Sequence, residues 1–577
     1  VIVSVRGGLR VDVAPSNDRA FITVESLGLS PIGRFESWEA VPAERRAGFD
    51  ALVRCVRADS GPLRAAIERA PVTHEARPRP PRTEVPAVPW RLALALGLVA
   101  FLALRRGRAA WRGAIVVVLT SGAVLVLRAL VVPESYFHQN GQGPFWVSLA
   151  LGEPSSYGPG YAELFQAAAR AVSDDPERGL WIAQAMLASF VPVLVAMLVR
   201  ATTDRTWLAA ACGLAVALSP TLARLARSES YLAMCGALIV IGAAVLATFA
   251  RADARPRERV VASIAAGLVL AQAARVHPVC WLPCALVPFV VLVGRGEAKE
   301  RLRTTAWVAL IVIGTTLAVS GPALLEVLEG TLGAHWRGEL SGRESRFRGV
   351  PAWVILVAIV ALMSFVIAFS LRAWRRLAIA SGVLALTVLV AWGANLLDPT
   401  VRGVHAAYAS LHLVPVMAAL AAMLDEAMLR WQQLDERVAA TAVLVVALTM
   451  HALTTKDALE LSTDAREAAL VRAWRSRIPR DAAVLYLARA GQHVMSIPIY
   501  DERAVSITAG EPIPRAQSHY LRTSLCSTAA GRPTCEALER DARLVPLETA
   551  TLPAIPSVGN LPYDRDTVDI ALHRVAP

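Results

Sequence analysis

Three short stretches of this sequence place ionisable and aromatic side chains at the ends of long apolar blocks. The first is Pro133-Glu134-Ser135-Tyr136-Phe137-His138-Gln139-Asn140, running on to Tyr157 and Tyr161. The second begins at Ser219-Pro220 and carries Arg224, Arg227, Glu229 and Tyr231. The third is Arg275-Val276-His277-Pro278. If the helix through Ser219 continues, spacings of three and four put Arg224, Arg227 and Tyr231 on one face. Two guanidinium groups facing one cavity suit a phosphate, which arginine grips through paired hydrogen bonds. The alternative is that they snorkel to lipid headgroups, with Glu229 neutralising a neighbour. Arg275 and His277 repeat the pattern more weakly, His277 being equally suited to start a helix. A fourth cluster, Arg337, Arg343, Arg346 and Arg348 with Glu339 and Glu344, fits either an anionic ligand or anionic headgroups.

Apolar blocks must position these groups. The chain has 577 residues, of which 55% are hydrophobic and 18% charged, with a mean hydropathy of +0.46. A soluble protein carries roughly 25% charged residues. The excess falls into blocks of about 17–25 residues, the length of helix that crosses ~30 Å of hydrocarbon. A soluble enzyme, a disulfide scaffold and a disordered chain are thereby excluded. Twelve spans are expected, near 88–104, 112–132, 180–200, 206–222, 231–250, 259–274, 277–294, 304–325, 350–371, 377–396, 404–424 and 438–453.

The net charge of +12 does not point to nucleic acid, because the basic residues sit in small clusters between spans. Only Lys299 and Lys456 are lysines, a composition bias that makes any one arginine weak evidence of function. One alternate set of loops (105–112, 200–205, 251–259, 295–303, 372–376, 425–437) carries 19 Lys and Arg. The other set, longer in total, carries 10. The positive-inside rule makes the first set cytoplasmic. An even span count then leaves both termini outside, in the expected setting of a bacterial inner membrane.

The expected fold class is a predominantly α polytopic bundle with small α/β extramembrane domains at both ends. Residues 1–76 form the first, with strands at 9–14 and 20–25 and a helix from Pro42 to Cys55. A Pro/Arg-rich linker covers 77–87, the spans occupy 88–453 with outer loops 133–179 and 326–349, and 454–577 form the second domain. There a helix is expected at Ala465–Ser476, with strands at Ala483–Leu487, His493–Tyr500 and Ala504–Ile507. The chain begins at Val1 with no basic and apolar leader pattern, so an external N-terminal domain calls for an export signal further upstream or for a different reading of the first span. Cys212, Cys235, Cys280 and Cys284 fall in spans as packing residues. Cys526 and Cys535 fall in the outer domain, where an oxidising compartment lets them close a small loop. Two thiols without clustered histidine do not make a metal site there. That domain has no Gly-rich phosphate loop, no His-Glu-x-x-His and no Gly-x-Ser-x-Gly.

The order of these parts resembles the GT-C integral-membrane glycosyltransferases, which include the protein mannosyltransferase and lipid A aminoarabinose transferase types. The likeness rests on a long outer loop with an acidic residue after an early span, a Tyr- and Pro-rich stretch, and Ser219-Pro220 followed by Arg227 and Tyr231. It covers roughly 112–453. The resemblance implies transfer of a sugar from a polyprenyl-phosphate donor to a lipid, glycan or protein acceptor outside the membrane, with membrane lipids as further partners. It gives Glu134 the role of general base, taking the acceptor's hydroxyl proton. The family's loop usually carries Asp at this point, so the longer Glu134 needs a different loop position. His138 and Asn140 then bind sugar hydroxyls or help hold a divalent cation, or they simply satisfy local turns. Tyr157 and Tyr161 stack on a sugar or sit in the interfacial aromatic belt.

Two other classes remain in play. A degenerate, non-catalytic scaffold fits the missing Asp. A transporter or flippase fits less well, because no internal repeat is visible and ionisable residues lie near span ends. His405 and His412 are the best intramembrane polar pair for either reading.

Overall fold

The computed structural model of the chain describes four N-terminal strands and residues 89–106, 134–137, 143–153, 157–172, 175–327, 375–393, 413–431, 435–488, 497–507, 518–555 and 563–576, apart from 501, 502 and 530, with isolated positions elsewhere. His138, Asn140, Arg343, Arg346, His405, His412 and the helix expected at 42–55 lie outside the described residues. By its internal contacts the chain divides into Val1–Pro78 with Pro322–Val350, and Arg79–Gly321 with Pro351–Pro577.

In the first unit, β1 (Ile2–Val5), β2 (Leu9–Ser16), β3 (Arg19–Ser26) and β4 (Pro31–Phe35) form an antiparallel sheet in chain order. The strands expected at 9–14 and 20–25 are β2 and β3. They pair from Leu9 with Ser26 to Ser16 with Arg19, so only Asn17 and Asp18 separate them, a composition suited to a tight hairpin.

The second unit begins with α1 (Trp90–Arg106), α2 (Gly143–Ala150), α3 (Gly160–Ala171), α4 (Pro176–Ala188), α5 (Val191–Thr203), α6 (Thr206–Ala217), α7 (Pro220–Ala226), α8 (Tyr231–Phe249) and α9 (Pro256–Val276). It continues through α10 (Trp281–Leu286), α11 (Phe289–Leu292), α12 (Ala298–Val327), α13 (Arg375–Gly393), α14 (Leu413–Arg430) and α15 (Glu436–Leu459). Among the described residues, five helical stretches are long and apolar enough to cross a membrane: Pro176–Thr203, Tyr231–Phe249, Pro256–Val276, Ala298–Ala323 and Glu436–Leu453. The bent pair α6 and α7 makes a sixth if it counts as one span. The described residues do not confirm the expected twelve. The remaining blocks fall short in length or composition, as Trp90–Leu102 and Trp281–Leu292 do, or lie partly outside the described residues.

Helix α8 has no charged residue and is the centre of the bundle, with 83% of its most apolar window buried. Small residues let its neighbours approach. A Cβ on Gly267 of α9 would stand 2.7 Å from Thr315 of α12. At that crossing Thr316 donates to the Gly267 carbonyl (3.2 Å) and Ser320 to that of Ala271 (2.9 Å), the close packing that membrane helices use without a hydrophobic drive between them. By contrast α12 and α15 are only 22% and 11% buried over their apolar windows. Leu310, Leu317, Val446 and Leu453 are exposed on them, an apolar surface of the kind lipid covers.

Two of the expected spans are broken. The chain bends by 61° between α6 and α7, because Pro220 lacks an N–H and its ring excludes the preceding helical carbonyl. Ser219 caps the new helix by accepting from the Leu222 N–H (3.3 Å). The span expected at 277–294 is a 3-10 turn at Pro278–Cys280 followed by the short α10 and α11.

At one end of the bundle Asp425, fully buried, accepts from Arg205 (2.9 Å), Arg295 (2.9 Å) and Arg376 (2.7 Å). These residues come from four loops that the charge count assigns to one side. Arg251 from a fifth loop joins Arg295 at Asp204 (3.4 and 3.2 Å). Helix α8 runs from Tyr231 at the opposite end toward this hub, about 28 Å for its 19 residues.

Beyond α15, α16 (Thr463–Trp474) packs on a five-stranded sheet of β5 (Val484–Leu487), β6 (Ala504–Ile507), β7 (His519–Arg522), β8 (Leu544–Pro553) and β9 (Thr567–Val575), with α17 (Arg532–Asp541) between β7 and β8. The order is β6-β5-β7-β9-β8, parallel at β5 and antiparallel at β9. The strand expected at His493–Tyr500 is not formed over its described part: Ile497 to Tyr500 is irregular and buried. Cys526 and Cys535 are joined in a disulfide.

Candidate functional site

At the end of the bundle opposite Asp425, Glu134 and Arg227 meet. Arg227 Nη2 donates to Glu134 Oε1 at 2.8 Å, with the two side chains 17% and 30% exposed. Arg227 is where α7 stops, having left helical geometry at φ −112° and ψ 33°. Three residues later Ser230 caps α8, accepting from the Leu232 N–H. The helix therefore does not continue through Arg224, Arg227 and Tyr231, and the shared face expected of them is corrected. Each turns to a different partner. Arg224 is buried over the Phe137 ring (5.4 Å) and donates to the Glu460 carbonyl (3.2 Å). Arg227 faces Glu134, and Tyr231 faces His277.

The segment carrying Glu134 is fastened along its length. The Ser135 N–H donates to the Arg227 carbonyl (3.4 Å). The Phe137 N–H donates to both oxygens of Glu229 (3.2 and 3.0 Å), a fully buried carboxylate. Between them the Tyr136 hydroxyl donates to Glu177 Oε1 (2.8 Å). Glu229 is thus an anchor for the loop.

Beside this lies an aromatic stack. His277 is sandwiched between Tyr231, at 4.3 Å and 5° between planes, and Tyr157, at 4.8 Å and 23°. Trp146 closes the group at 4.3 Å from Tyr231 and 5.0 Å from Tyr161. The Val279 N–H donates to His277 Nδ1 (3.0 Å), so the neutral ring carries its proton on Nε2. Gly160 permits the approach of the Tyr157–Tyr161 turn to the end of α9, since a Cβ there would stand 2.4 Å from the Arg275 carbonyl carbon. Tyr161 is 1% exposed and donates to the Glu229 carbonyl, so it packs inside rather than at a lipid interface.

Arg275 is committed elsewhere. It donates to Glu163 Oε1 (2.7 Å), which Gln272 (2.9 Å) and Arg91 also reach through Oε2. Burial pushes the Glu163 carboxyl up, but hydrogen bonds from Arg275, Gln272 and Arg91 outweigh it and hold it below the usual range. Arg275 thereby pins α3 against α9.

Sequence reasoning missed Glu177, Glu163 and Trp146. Asp175-Pro176-Glu177, an acidic pair around a proline at a helix start, was the available sign of the first. Among the described residues no group of three His, Cys, Asp or Glu side chains is placed to hold a metal ion.

No protein-family model and no curated protein sequence matches the chain. Its fold is similar to solved structures at low identity. The Saccharomyces cerevisiae protein O-mannosyltransferase Pmt1–Pmt2 complex bound to the sugar donor aligns at 16% identity and a TM-score of 0.31, covering 39% of this chain. The chain spans 35% of the length of that structure's chain. The Archaeoglobus fulgidus oligosaccharyltransferase with Zn and sulfate aligns at 11% identity and a TM-score of 0.40, over 73% of this chain and 69% of that one. ArnT from Cupriavidus metallidurans in the apo state aligns at 13% identity and a TM-score of 0.36, over 80% and 98%.

Proposed function

We infer that the chain is a membrane-embedded transferase that moves a sugar from a polyprenyl-phosphate donor to a lipid, glycan or protein acceptor. The reaction takes place on the face where Glu134 lies, outside a bacterial inner membrane. The observation that carries this reading is the state of Glu134 among its neighbours. Glu163, Glu177 and Glu229 are enclosed, with side chains 11% exposed or less. Glu134 remains 30% exposed and has one arginine beside it.

In the proposed reaction Glu134 takes the proton of an acceptor hydroxyl as its oxygen attacks the anomeric carbon. The bond from that carbon to the phosphate oxygen breaks, and the lipid phosphate leaves with the electron pair. Arg227 neutralises the departing phosphate through charge-assisted hydrogen bonds. The Tyr157–His277–Tyr231 stack offers an aromatic wall beside the sugar. His138, Asn140, Arg343 and Arg346 remain proposed contacts to substrate or headgroup.

Membranes containing the protein and a radiolabelled polyprenyl-phosphate sugar test the reading. Label should pass to an acceptor with native protein and fail to do so with Glu134→Gln.

A further inference from the structure

The C-terminal domain reaches into the segment that carries Glu134. Glu177, at the start of α4, is fully buried. Its Oε1 accepts from the Tyr136 hydroxyl (2.8 Å) on the bundle side and from the Tyr500 hydroxyl (3.1 Å) on the domain side. The two hydroxyls also lie 3.1 Å from each other. Arg475, in the turn that ends α16, donates to both Glu177 oxygens (3.3 and 3.4 Å) and to the Pro498 carbonyl (3.4 Å). Arg472 on the same helix donates to Asp175 (2.5 Å) and lies over the Trp181 ring (4.8 Å). Two carboxylates, of which Glu177 is fully buried, meet two partly exposed guanidiniums.

Mere attachment of a domain does not need this arrangement. An apolar contact would serve at lower desolvation cost, and buried ionic groups are more defensible as devices that fix one geometry than as sources of stability. What is fixed here is Tyr136, two residues from Glu134, in a segment whose other ties run to Arg227 and Glu229. Tyr136 packs edge-on against Trp181 (5.7 Å), so once its hydroxyl is held the ring has no other seat. The irregular run Ile497–Tyr500, in place of the expected strand, lets Tyr500 reach across to the bundle.

The geometry points to Arg475 and Tyr500 as positioning residues: the C-terminal domain sets the placement of Glu134 through Glu177 and Tyr136. The consequence for chemistry rests on the role given to Glu134 above, but the placement itself can be measured without turnover.

Ser135, beside Glu134, is 5% exposed and serves as the reporter. Ser135→Cys is introduced into the full-length protein in native membranes, with the unsubstituted chain as background for Cys212, Cys235, Cys280 and Cys284, which are buried. Modification by a polar maleimide is followed by mass spectrometry. It should be slow in the reporter alone and about tenfold faster or more with Arg475→Ala or Tyr500→Phe. Arg475→Lys, which keeps the charge, should return much of the protection. Arg532→Ala, at an ion pair with Asp564 inside the domain, should leave the rate unchanged. Tyr136→Phe and Tyr500→Phe should be non-additive, since they remove two ends of one network; a general loosening would add.

If Arg475→Ala does not accumulate, Tyr500→Phe decides the matter, because it deletes a single hydroxyl. An unchanged rate in Tyr500→Phe, or equal acceleration by Arg532→Ala, overturns the proposal. Neither outcome touches the transferase reading, whose failure would in turn leave the maleimide rates as they are.

Discussion

Arg227 Nη2 stands 2.8 Å from Glu134 Oε1, joining the exit of one apolar block to the break between two helices 93 residues on. The pair exists because α7 stops at Ala226 and the chain changes direction before α8 begins at Tyr231. A continuous helix would not have freed the Arg227 carbonyl, which accepts from Ser135, and would have carried the guanidinium round the helix axis. The break is what makes the site.

Arg227→Ala should weaken donor binding more than it weakens the fold. The pair is partly exposed, and such pairs contribute about 0–1 kcal/mol to stability. A charge-assisted hydrogen bond to a phosphate contributes about 1.5–3 kcal/mol, or roughly 10- to 100-fold in affinity. Titration with polyprenyl phosphate in detergent, read against thermal melting, checks the split. Equal loss in Arg227→Ala and Arg227→Lys would indicate that fork geometry matters beyond charge.

Gly160→Ala should pull the tyrosine turn away from His277. The new methyl would meet the Arg275 carbonyl carbon and oxygen at 2.4 and 2.6 Å, backbone atoms that cannot swing aside. Overpacking of this kind costs about 1–3 kcal/mol. Hydrogen exchange at residues 157–163 should rise, whereas Gly236→Ala, where nothing lies within 4 Å, should leave it unchanged.

The ion-pair hub makes a prediction about sidedness. Asp425 holds arginines from three loops, so those loops share one side of the bundle whichever way it is oriented. Cysteines placed at Asp253 and Asp435 should label from the same side in sealed vesicles, and a cysteine at Arg565 from the other. Labelling of all three from one side would contradict the arrangement.

Much of this was legible in the sequence because burial by lipid and burial by protein both demand apolar runs. α8 and α9 could be read directly for that reason, as could the strands β2, β3, β5 and β6 from their alternation or apolarity. Glu134 and Arg227 could be singled out as polar residues at span ends, but their pairing could not, because it depends on a helix break that Pro220 starts and Ser230 completes. Arg275 looked like a ligand-binding arginine since its partner Glu163 is 112 residues away. Glu177 was invisible for a related reason: an acid at a helix start is normally solvated, and only the arrival of Tyr500 and Arg475 from 300 residues later buries it.

Glu467 gives the C-terminal domain a pH dependence. It accepts from the Ser524 N–H (2.9 Å) and hydroxyl, and burial pushes its carboxyl up to about 7 from 4.5, the Ser524 bonds offsetting only part. The folded domain therefore holds a proton that the unfolded chain releases between those values. The stabilising contribution is complete below about pH 4.5 and is lost as pH rises through about 7. A shift of this size corresponds to about 3 kcal/mol. Exchange protection of α16 should fall between about pH 4.5 and 7 in the native protein and stay flat in Glu467→Gln.

Glu134 is the proposed base. Glu134→Gln keeps the side chain's size and removes its charge, and a general base contributes about 10²–10⁴-fold. Single-turnover transfer from a radiolabelled polyprenyl-phosphate sugar, in membranes with matched protein levels, measures this step directly. The rate should fall at least about 100-fold below native, with donor affinity retained. Full-rate transfer by Glu134→Gln would contradict it.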